Sequence, residues 1–408
     1  MMKIVHIQAS MPPSGNAAYR LSTIMRNYGL DSYVLNLMPS FKKDNAYVNV
    51  AKRGRIFGKI VDYGVKKIKT FRIRKNVYFY TPLPAIGRDL VSMSLIKEAD
   101  VIYVHWVSGL LSINNIENLA KTGKPIFFFM HDMWTFTGGC HHSMECEGYH
   151  LSCENCNMFE WHSFFPCAHL KSKERLFSKY SNLNFISPSR WMASCAKKSF
   201  ALRNKIVYTI PNVIDETIFK PIDKKVVRQI LNLPQDRIII TFGCVAGQDN
   251  PYKGWKYLEE AINRIDLDNI LIVVYGSGYN QETVDNTKYP IRFLGRVYDD
   301  TMLSLICNAS DLFVTPSLCE SFSLVVLENI LCGTPVVGFD TTSIPELVKT
   351  GQTGYLAKFK DSDDLAKGIR SILNKEITFD MGQYRNFYSS RNIIESHIKL
   401  IDQYLKIE

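Results

Sequence analysis

The segment that most limits what this chain can fold into runs from Leu312 to Val337. An apolar run, Leu312-Phe-Val-Thr-Pro316, reads as a strand that meets a Pro-Ser loop. Glu320-Ser-Phe-Ser-Leu-Val-Val-Leu-Glu328 then opens an apolar helix, and Cys332-Gly-Thr-Pro-Val-Val337 turns into a second short strand. That order is one turn of a parallel α/β sheet. Ligands bind such sheets at the carboxyl ends of the strands, and Glu320 falls in that loop. The helix start offers the backbone N–H groups of Ser321, Phe322, Ser323 and Leu324 to a phosphate. Glu328, about two turns along, is placed to accept hydrogen bonds from sugar hydroxyls. A carboxylate beside a phosphate would repel it, so the loop must aim Glu320 toward a neighbouring hydroxyl-rich group.

The same segment resembles the signature of the retaining glycosyltransferases of family 4, also called group 1. The likeness continues upstream in Phe293-Leu-Gly-Arg-Val297 and downstream in Ile344-Pro-Glu-Leu-Val348 and Gly351-Gln-Thr-Gly354. It implies an α/β GT-B fold, two Rossmann-like domains facing a central cleft, with a C-terminal helix crossing back to the first. Pro211-Asn-Val-Ile-Asp215 resembles the family's crossing between domains. The expected boundaries are residues 1–212 for an acceptor-binding domain and 213–387 for a nucleotide-sugar domain, with the helix at 388–408.

Length agrees with that division. The 408 residues exceed one ordinary core and suit two domains of roughly 200 residues each. An apolar content of 46% against 22% charged is that of a globular chain and excludes a disordered one. No apolar run approaches the roughly 18 residues of a membrane-spanning helix. Met1-Met-Lys-Ile-Val-His-Ile enters a strand directly, without the pattern of a signal peptide, so a cytoplasmic location is expected.

The positive charge is concentrated. Residues 42–75 hold twelve Lys or Arg against two Asp, an excess equal to the net +10 of the whole chain. Within residues 52–75, apolar Ile56, Phe57, Ile60, Val61, Val65 and Ile68 keep to one helical face with cations around it. A solvated helix packed on its own domain fits that pattern, and so does a helix lying on an anionic leaflet. The family resemblance suggests a lipid-linked acceptor and favours the inner face of the plasma membrane. No nucleic-acid reader motif accompanies the charge, and no such partner is expected.

In the first half, Lys3 to Gln8 reads as a buried strand, Ala9 to Asn16 as a loop and Ala17 to Tyr28 as a helix. Such a loop lets a ligand approach backbone amides, which makes Gly15 and Asn16 candidates. Family members often carry two adjacent glycines there, whereas this chain has Ser14-Gly15-Asn16. Val101 to Trp106 is another buried strand, ending in His105 and Trp106, and Pro125 to Met130 ends at His131-Asp132. Isolated histidines are more often structural, yet two at the carboxyl ends of separate strands can face one site. His131-Asp-Met-Trp-Thr-Phe-Thr-Gly-Gly-Cys140 closely resembles a stretch in family 4 enzymes of bacterial exopolysaccharide assembly. In relatives the equivalent histidine sits beside the donor sugar, and Asp132 is suited to hold its tautomer by hydrogen bonding.

Cys140, Cys146, Cys153 and Cys156 follow, the last two as Cys-x-x-Cys. The spacing is compatible with a structural zinc, with free thiols or with a disulfide, and in no case requires a catalytic role.

In the second half, Ile238 to Gly243 reads as a strand and Lys253-Gly-Trp255 as a loop-to-helix junction, where a lysine neutralises a diphosphate without metal. The Lys-Gly match to the family assigns Lys253 to that role. Relatives often place an Arg just after the preceding strand. Cys244-Val245 stands there instead, so that Arg296 or a second lysine compensates or the leaving group is stabilised less. Gly276, ending the strand Ile270 to Tyr275, and Arg296 border the nucleotide in the family. Asp299-Asp300 reads as a helix cap rather than a metal site. These residues together imply a retaining, metal-independent transfer of a hexose-type sugar from a nucleotide-sugar to a glycan or lipid-linked saccharide, in the making of exopolysaccharide, O-antigen or capsule. No cofactor is required for it. The rivals are another GT-B enzyme, a phosphorylase or nucleotide-sugar epimerase, and a non-enzymatic scaffold at the membrane surface.

Overall fold

A computed structural model describes residues 1–9, 17–36, 45–50, 80–81, 87–107, 110–159, 164–243, 250–376, 379 and 381–405. Gly15, Asn16 and the basic segment 52–75 lie outside the described residues.

The near-continuous apolar runs form two parallel sheets. In the first, β1 (Lys3–Gln8), β2 (Asp31–Asn36), β3 (Tyr47–Asn49), β4 (Val101–Val104), β5 (Ile126–Phe129), β6 (Leu183–Ser187) and β7 (Val207–Thr209) lie in the order β3-β2-β1-β4-β5-β6-β7. In the second, β8 (Ile238–Gly243), β9 (Ile270–Tyr275), β10 (Ile291–Phe293), β11 (Leu312–Thr315), β12 (Val336–Phe339) and β13 (Gly354–Ala357) lie in the order β10-β9-β8-β11-β12-β13. Every residue of β4, β5 and β9 is buried, as expected of parallel strands covered by helices on both faces. Both orders jump in sequence at their middle, between β1 and β4 and between β8 and β11. Such a reversal opens a crevice at the carboxyl ends of the strands.

Contacts divide the chain into two units. One runs to Ile210 and takes in the C-terminal stretch from Ser396, and the other holds Pro211–Glu395. The second boundary falls inside the helix Ser390–Leu405. In the first unit that helix lies on the sheet. Tyr404 donates or accepts at Tyr208 Oη (2.9 Å) and sets its ring edge-on to Phe127, while His397 Nδ1 is 3.0 Å from Tyr103 Oη.

Local signals explain where elements begin. Asp299 caps the helix Asp300–Ala309 by accepting the Met302 N–H, so the acidic pair is the cap that its place in the sequence implies. Asp361 caps Ser362–Leu373 in the same way, through the N–H groups of Asp363 and Asp364. Gly354 opens β13 so close to its neighbour that a Cβ there would lie 1.7 Å from the Val336 carbonyl oxygen. No described helix is long and apolar enough to cross a membrane.

Candidate functional site

The second unit gathers its candidate residues where β8 and β11 run side by side. The chain after β8 is picked up at Asn250, whose side chain accepts the Tyr252 N–H at 3.1 Å and starts a short 3-10 turn, Pro251–Lys253. The chain after β11 passes directly beneath it: the Leu318 N–H donates to the Tyr252 carbonyl at 2.7 Å. Gly254 sits between the two with φ +64°, and a Cβ on it would lie 2.0 Å from the Pro316 carbonyl oxygen. Only glycine fits both the left-handed backbone and that approach. The glycine after Lys253 is thus the means by which one loop lies on the other.

This stacking brings Lys253 Nζ to 2.5 Å from Glu320 Oε1, with side chains 25% and 12% exposed. The pair is sheltered yet reachable. The Glu320 backbone is fixed from the loop after β12, its N–H donating to Thr342 Oγ1 (3.1 Å) and its carbonyl accepting from Ser343 Oγ (2.9 Å). An ammonium has three donors, so Lys253 can hold a carboxylate and a second anion together. An ion pair sheltered this far adds little net stability, which makes a fold-only role a weak explanation for it.

The helix Leu324–Cys332 begins just beyond. Its cap residue, Ser323, adopts φ +66° without capping through its side chain, and its buried Oγ has no partner among the described residues. A non-glycine residue held in this backbone region costs about 1–3 kcal/mol and tends to mark functional sites. Phe322 is core, 3% exposed and edge-on to Tyr388, so the site receives its backbone rather than its ring. Glu328 is buried on the same helix, close enough to Tyr275 that burial first, then Cys307 and Glu328, drive that phenol well above its ordinary value. Gly276 turns with φ +87° and donates its N–H to the Gly295 carbonyl (2.7 Å), tying the ends of β9 and β10 together. Arg296, next in line, is exposed.

In the first unit, three histidines from adjacent strands form a chain. His6 Nδ1 lies 2.8 Å from His105 Nε2, and His105 Nδ1 lies 2.8 Å from His131 Nε2. Register explains this. His6 pairs with Tyr103 and Tyr103 with Phe127, and residues two apart share a face, so His6, Tyr103, His105, Phe127, Phe129 and His131 line one side of the sheet. Burial holds His131 down at about 4 and His6 at about 3, so the imidazoles are neutral at pH 7.

Asp132 serves a different histidine from the one expected. Its Oδ1 accepts the Trp134 N–H (2.8 Å) and its Oδ2 lies 2.6 Å from His141 Nδ1, while His131 Nε2 lies 2.8 Å from His105 Nδ1. The reason is local: Asp132 caps the 3-10 turn Met133–Phe136, which points its carboxylate away along the chain. Burial would raise the Asp132 carboxyl, but His141 and the Trp134 N–H outweigh it and hold it below its usual value. Trp106 Nε1 reaches His141 Nδ1 at 3.3 Å, and Lys173, fully buried, donates to the Trp134 and Thr137 carbonyls and lies 4.1 Å over the Trp134 ring. His6, Lys173, Thr342 and Ser343 carry no mark of their place in the sequence. Period-two spacing against Tyr103 would have found His6, but the others act through loop geometry that sequence does not print.

Cys140, Cys146, Cys153 and Cys156 carry free thiols. Burial first and then the neighbouring cysteines raise Cys140 and Cys153, the latter to about 12. Among the described residues no group of three or more His, Cys, Asp or Glu side chains is arranged to hold a metal ion.

Residues 223–389 match the family model described as glycosyl transferases group 1. A D-inositol 3-phosphate glycosyltransferase of Geodermatophilus obscurus is 29% identical over 194 residues, which is 43% of this chain and 42% of the relative, so the likeness spans less than half of either protein. Solved structures match over the whole length. Sucrose-phosphate synthase from Thermosynechococcus elongatus superposes with a TM-score of 0.70 at 16% identity, covering 100% of both chains. HepE of Anabaena, solved with UDP and glucose, gives 0.64 at 17% identity over 98% of this chain and 100% of its own. The fold is therefore GT-B, as the sequence resemblance implied, and residues 223–389 of the second unit carry the likeness to the group 1 glycosyltransferases.

Proposed function

We propose that this protein is a retaining, metal-independent glycosyltransferase. It moves a hexose-type sugar from a nucleotide-sugar to a glycan or lipid-linked saccharide in bacterial surface polysaccharide synthesis. The observation that carries the reading is the Lys253–Glu320 pair, 2.5 Å apart at the strand ends where the second sheet reverses its order, beside the helix start at Ser323 and Leu324. Lys253 and the amides of Ser321 to Leu324 hold the diphosphate and stabilise it as it leaves, which replaces the charge a metal would supply. Glu320 holds hydroxyls of the transferring sugar or the positive charge that develops on it. Glu328 takes the ribose, and Gly276 and Arg296 border the base. His131 and the Gly15 and Asn16 loop are assigned to the sugar, and His105, Trp106 and Asp132 to the acceptor side. No enzymatic nucleophile is assigned, so the leaving diphosphate accepts the acceptor's proton. The surface polysaccharide context is supported by the likeness of residues 131–140 to exopolysaccharide enzymes.

The test begins with a screen of nucleotide-sugars for hydrolysis or transfer. With the donor found, Lys253→Ala and Glu320→Ala should each lower turnover at least about tenfold while the fold survives, since one lost charge-assisted contact to the transition state is worth about that much or more. Near-normal turnover in either variant removes that residue's role. Proton NMR of the first-formed product gives its anomeric configuration, and inversion would refute retention.

A further inference from the structure

The loop after β12 reaches the candidate site through two consecutive side chains. We infer that Thr342 and Ser343 are positioning residues that set the direction of the Glu320 carboxylate, and that Thr342 is held in a strained backbone conformation for the sake of its hydroxyl. The catalytic meaning of this rests on the role proposed for Glu320 in sugar transfer, whereas the clamp itself is a property of the ligand-free protein.

The Glu320 N–H belongs to the peptide before its Cα, and its carbonyl to the peptide after it. Thr342 Oγ1 accepts from the N–H at 3.1 Å, and Ser343 Oγ donates to the carbonyl at 2.9 Å. With both planar peptides held, φ and ψ of Glu320 are set, and with them the direction of its Cα–Cβ bond. Only the side-chain torsions remain, and Lys253 Nζ, 2.5 Å from Oε1, fixes where they end. The carboxylate is thus placed by contacts from two other loops, one after β8 and one after β12.

Neighbouring side chains of an extended chain point to opposite faces, so two of them can grip one residue only where the backbone turns between them. It turns here through Thr342, at φ +52°, and Ser343, at φ −87° and ψ −10°. A left-handed φ crowds Cβ against the backbone, and a branched Cβ makes the crowding worse. Eight described residues other than glycine have a positive φ, and Thr342 is the one β-branched residue among them. Glycine would turn the chain without strain but would bring no hydroxyl to Glu320. Fold stability is a weak reason for this arrangement, because one neutral hydrogen bond stabilises by about as much as the strained backbone costs. Placement of a carboxylate at a reacting centre is a stronger one, since a displacement of about 1 Å can slow a reaction about a hundredfold.

Hydrogen exchange at the Glu320 amide reads the clamp without any ligand. Exchange should be slow in the wild type and in Thr342→Ser, which keeps the hydroxyl, and at least about tenfold faster in Thr342→Gly. Equal exchange in the wild type and Thr342→Gly overturns the clamp. With the donor found, Thr342→Gly should lower kcat at least about tenfold. Its Kd for UDP or GDP should stay within about threefold and its Tm within about 4 °C, because the diphosphate is assigned to Lys253 and the helix start and the relief of strain offsets the lost bond. Thr342→Ser should keep kcat within about threefold of the wild type. In a Glu320→Ala background the glycine substitution should change kcat by less than about twofold, since Thr342 acts only through that carboxylate. An unchanged kcat in the single variant, a loss that persists without the carboxylate, or a loss matched by a fall in Tm overturns the inference. If Thr342→Gly does not fold, Thr342→Val, which keeps the shape and loses the hydroxyl, is read by the same measures. Should the exchange agree while Glu320→Ala keeps full turnover, the clamp stands and the role of Glu320 in transfer falls.

Discussion

At the scale of single residues the candidate site depends on one glycine as much as on any charge. Lys253 reaches Glu320 because Gly254 lets its loop lie on the Pro316 carbonyl, with φ +64° and no side chain in the way. Gly254→Ala adds backbone strain and a contact of 2.0 Å with another loop's backbone, and the loops must part. The expected result is a loss of about 2 kcal/mol of stability or more, together with a large rise in the Kd for a nucleoside diphosphate. Chemical denaturation and calorimetric titration with UDP or GDP check the two effects separately. A variant of normal stability and affinity would show that the apposition of the loops is unnecessary. Lys253→Ala, in contrast, should lose affinity and turnover with little change in stability, because the desolvation cost of this sheltered ion pair offsets most of its attraction and Glu320 stays reachable by water once the lysine is gone.

At the scale of elements, the first unit hides its histidines where three strands and the C-terminal helix meet. Burial holds His6 at about 3, His131 at about 4 and His397 at about 3, and burial with the neighbouring imidazoles holds His105 well below its ordinary value. In the unfolded chain each takes up a proton near pH 6.5. Between about pH 4 and pH 6.5 the unfolded chain then binds more protons than the folded one, so stability is complete above that window and falls as pH drops through it. Tm measured between about pH 7 and 4.5 should decline steeply, and His397→Phe should flatten the decline by removing one of the protons. A Tm independent of pH over this range would mean that the imidazoles are charged or accessible in the folded state. The same junction shows what element-level sequence reading catches and misses. His105 and His131 were legible because each follows an apolar run, but His397 lies in an amphipathic helix where nothing marks which strand it will cover.

At the scale of the whole molecule, the chain carries its net charge in one place. Twelve of its Lys and Arg lie in residues 42–75, and the apolar positions of residues 52–75 follow a helical face. We propose that this segment, at about 1 kcal/mol per cation near an anionic surface, holds the protein on a membrane. The protein should co-sediment with vesicles containing phosphatidylglycerol. It should leave them as ionic strength rises and the Debye length shrinks, and it should ignore vesicles of phosphatidylcholine alone. Binding to both, or to neither, would remove the membrane from the proposal. Replacing Lys66, Lys67 and Lys69 with Gln should weaken the association without altering turnover on a soluble acceptor.

What the sequence determined by itself was everything that depends on neighbours along the chain. Apolar runs of strand length, glycine and proline at their ends, and Asp or Ser at helix starts set two parallel α/β sheets and put Glu320, Lys253 and His131 at the ends of strands. The order of strands was decided elsewhere. Only tertiary structure made β8 and β11 adjacent and so paired Lys253 with Glu320 across sixty-seven positions of sequence. Only it set β1, β4 and β5 side by side and made three histidines one chain, and only it turned Asp132 from His131 to His141. The physical reason is that periodicity and capping are local, whereas which strand ends meet is decided by how two whole sheets bury their faces.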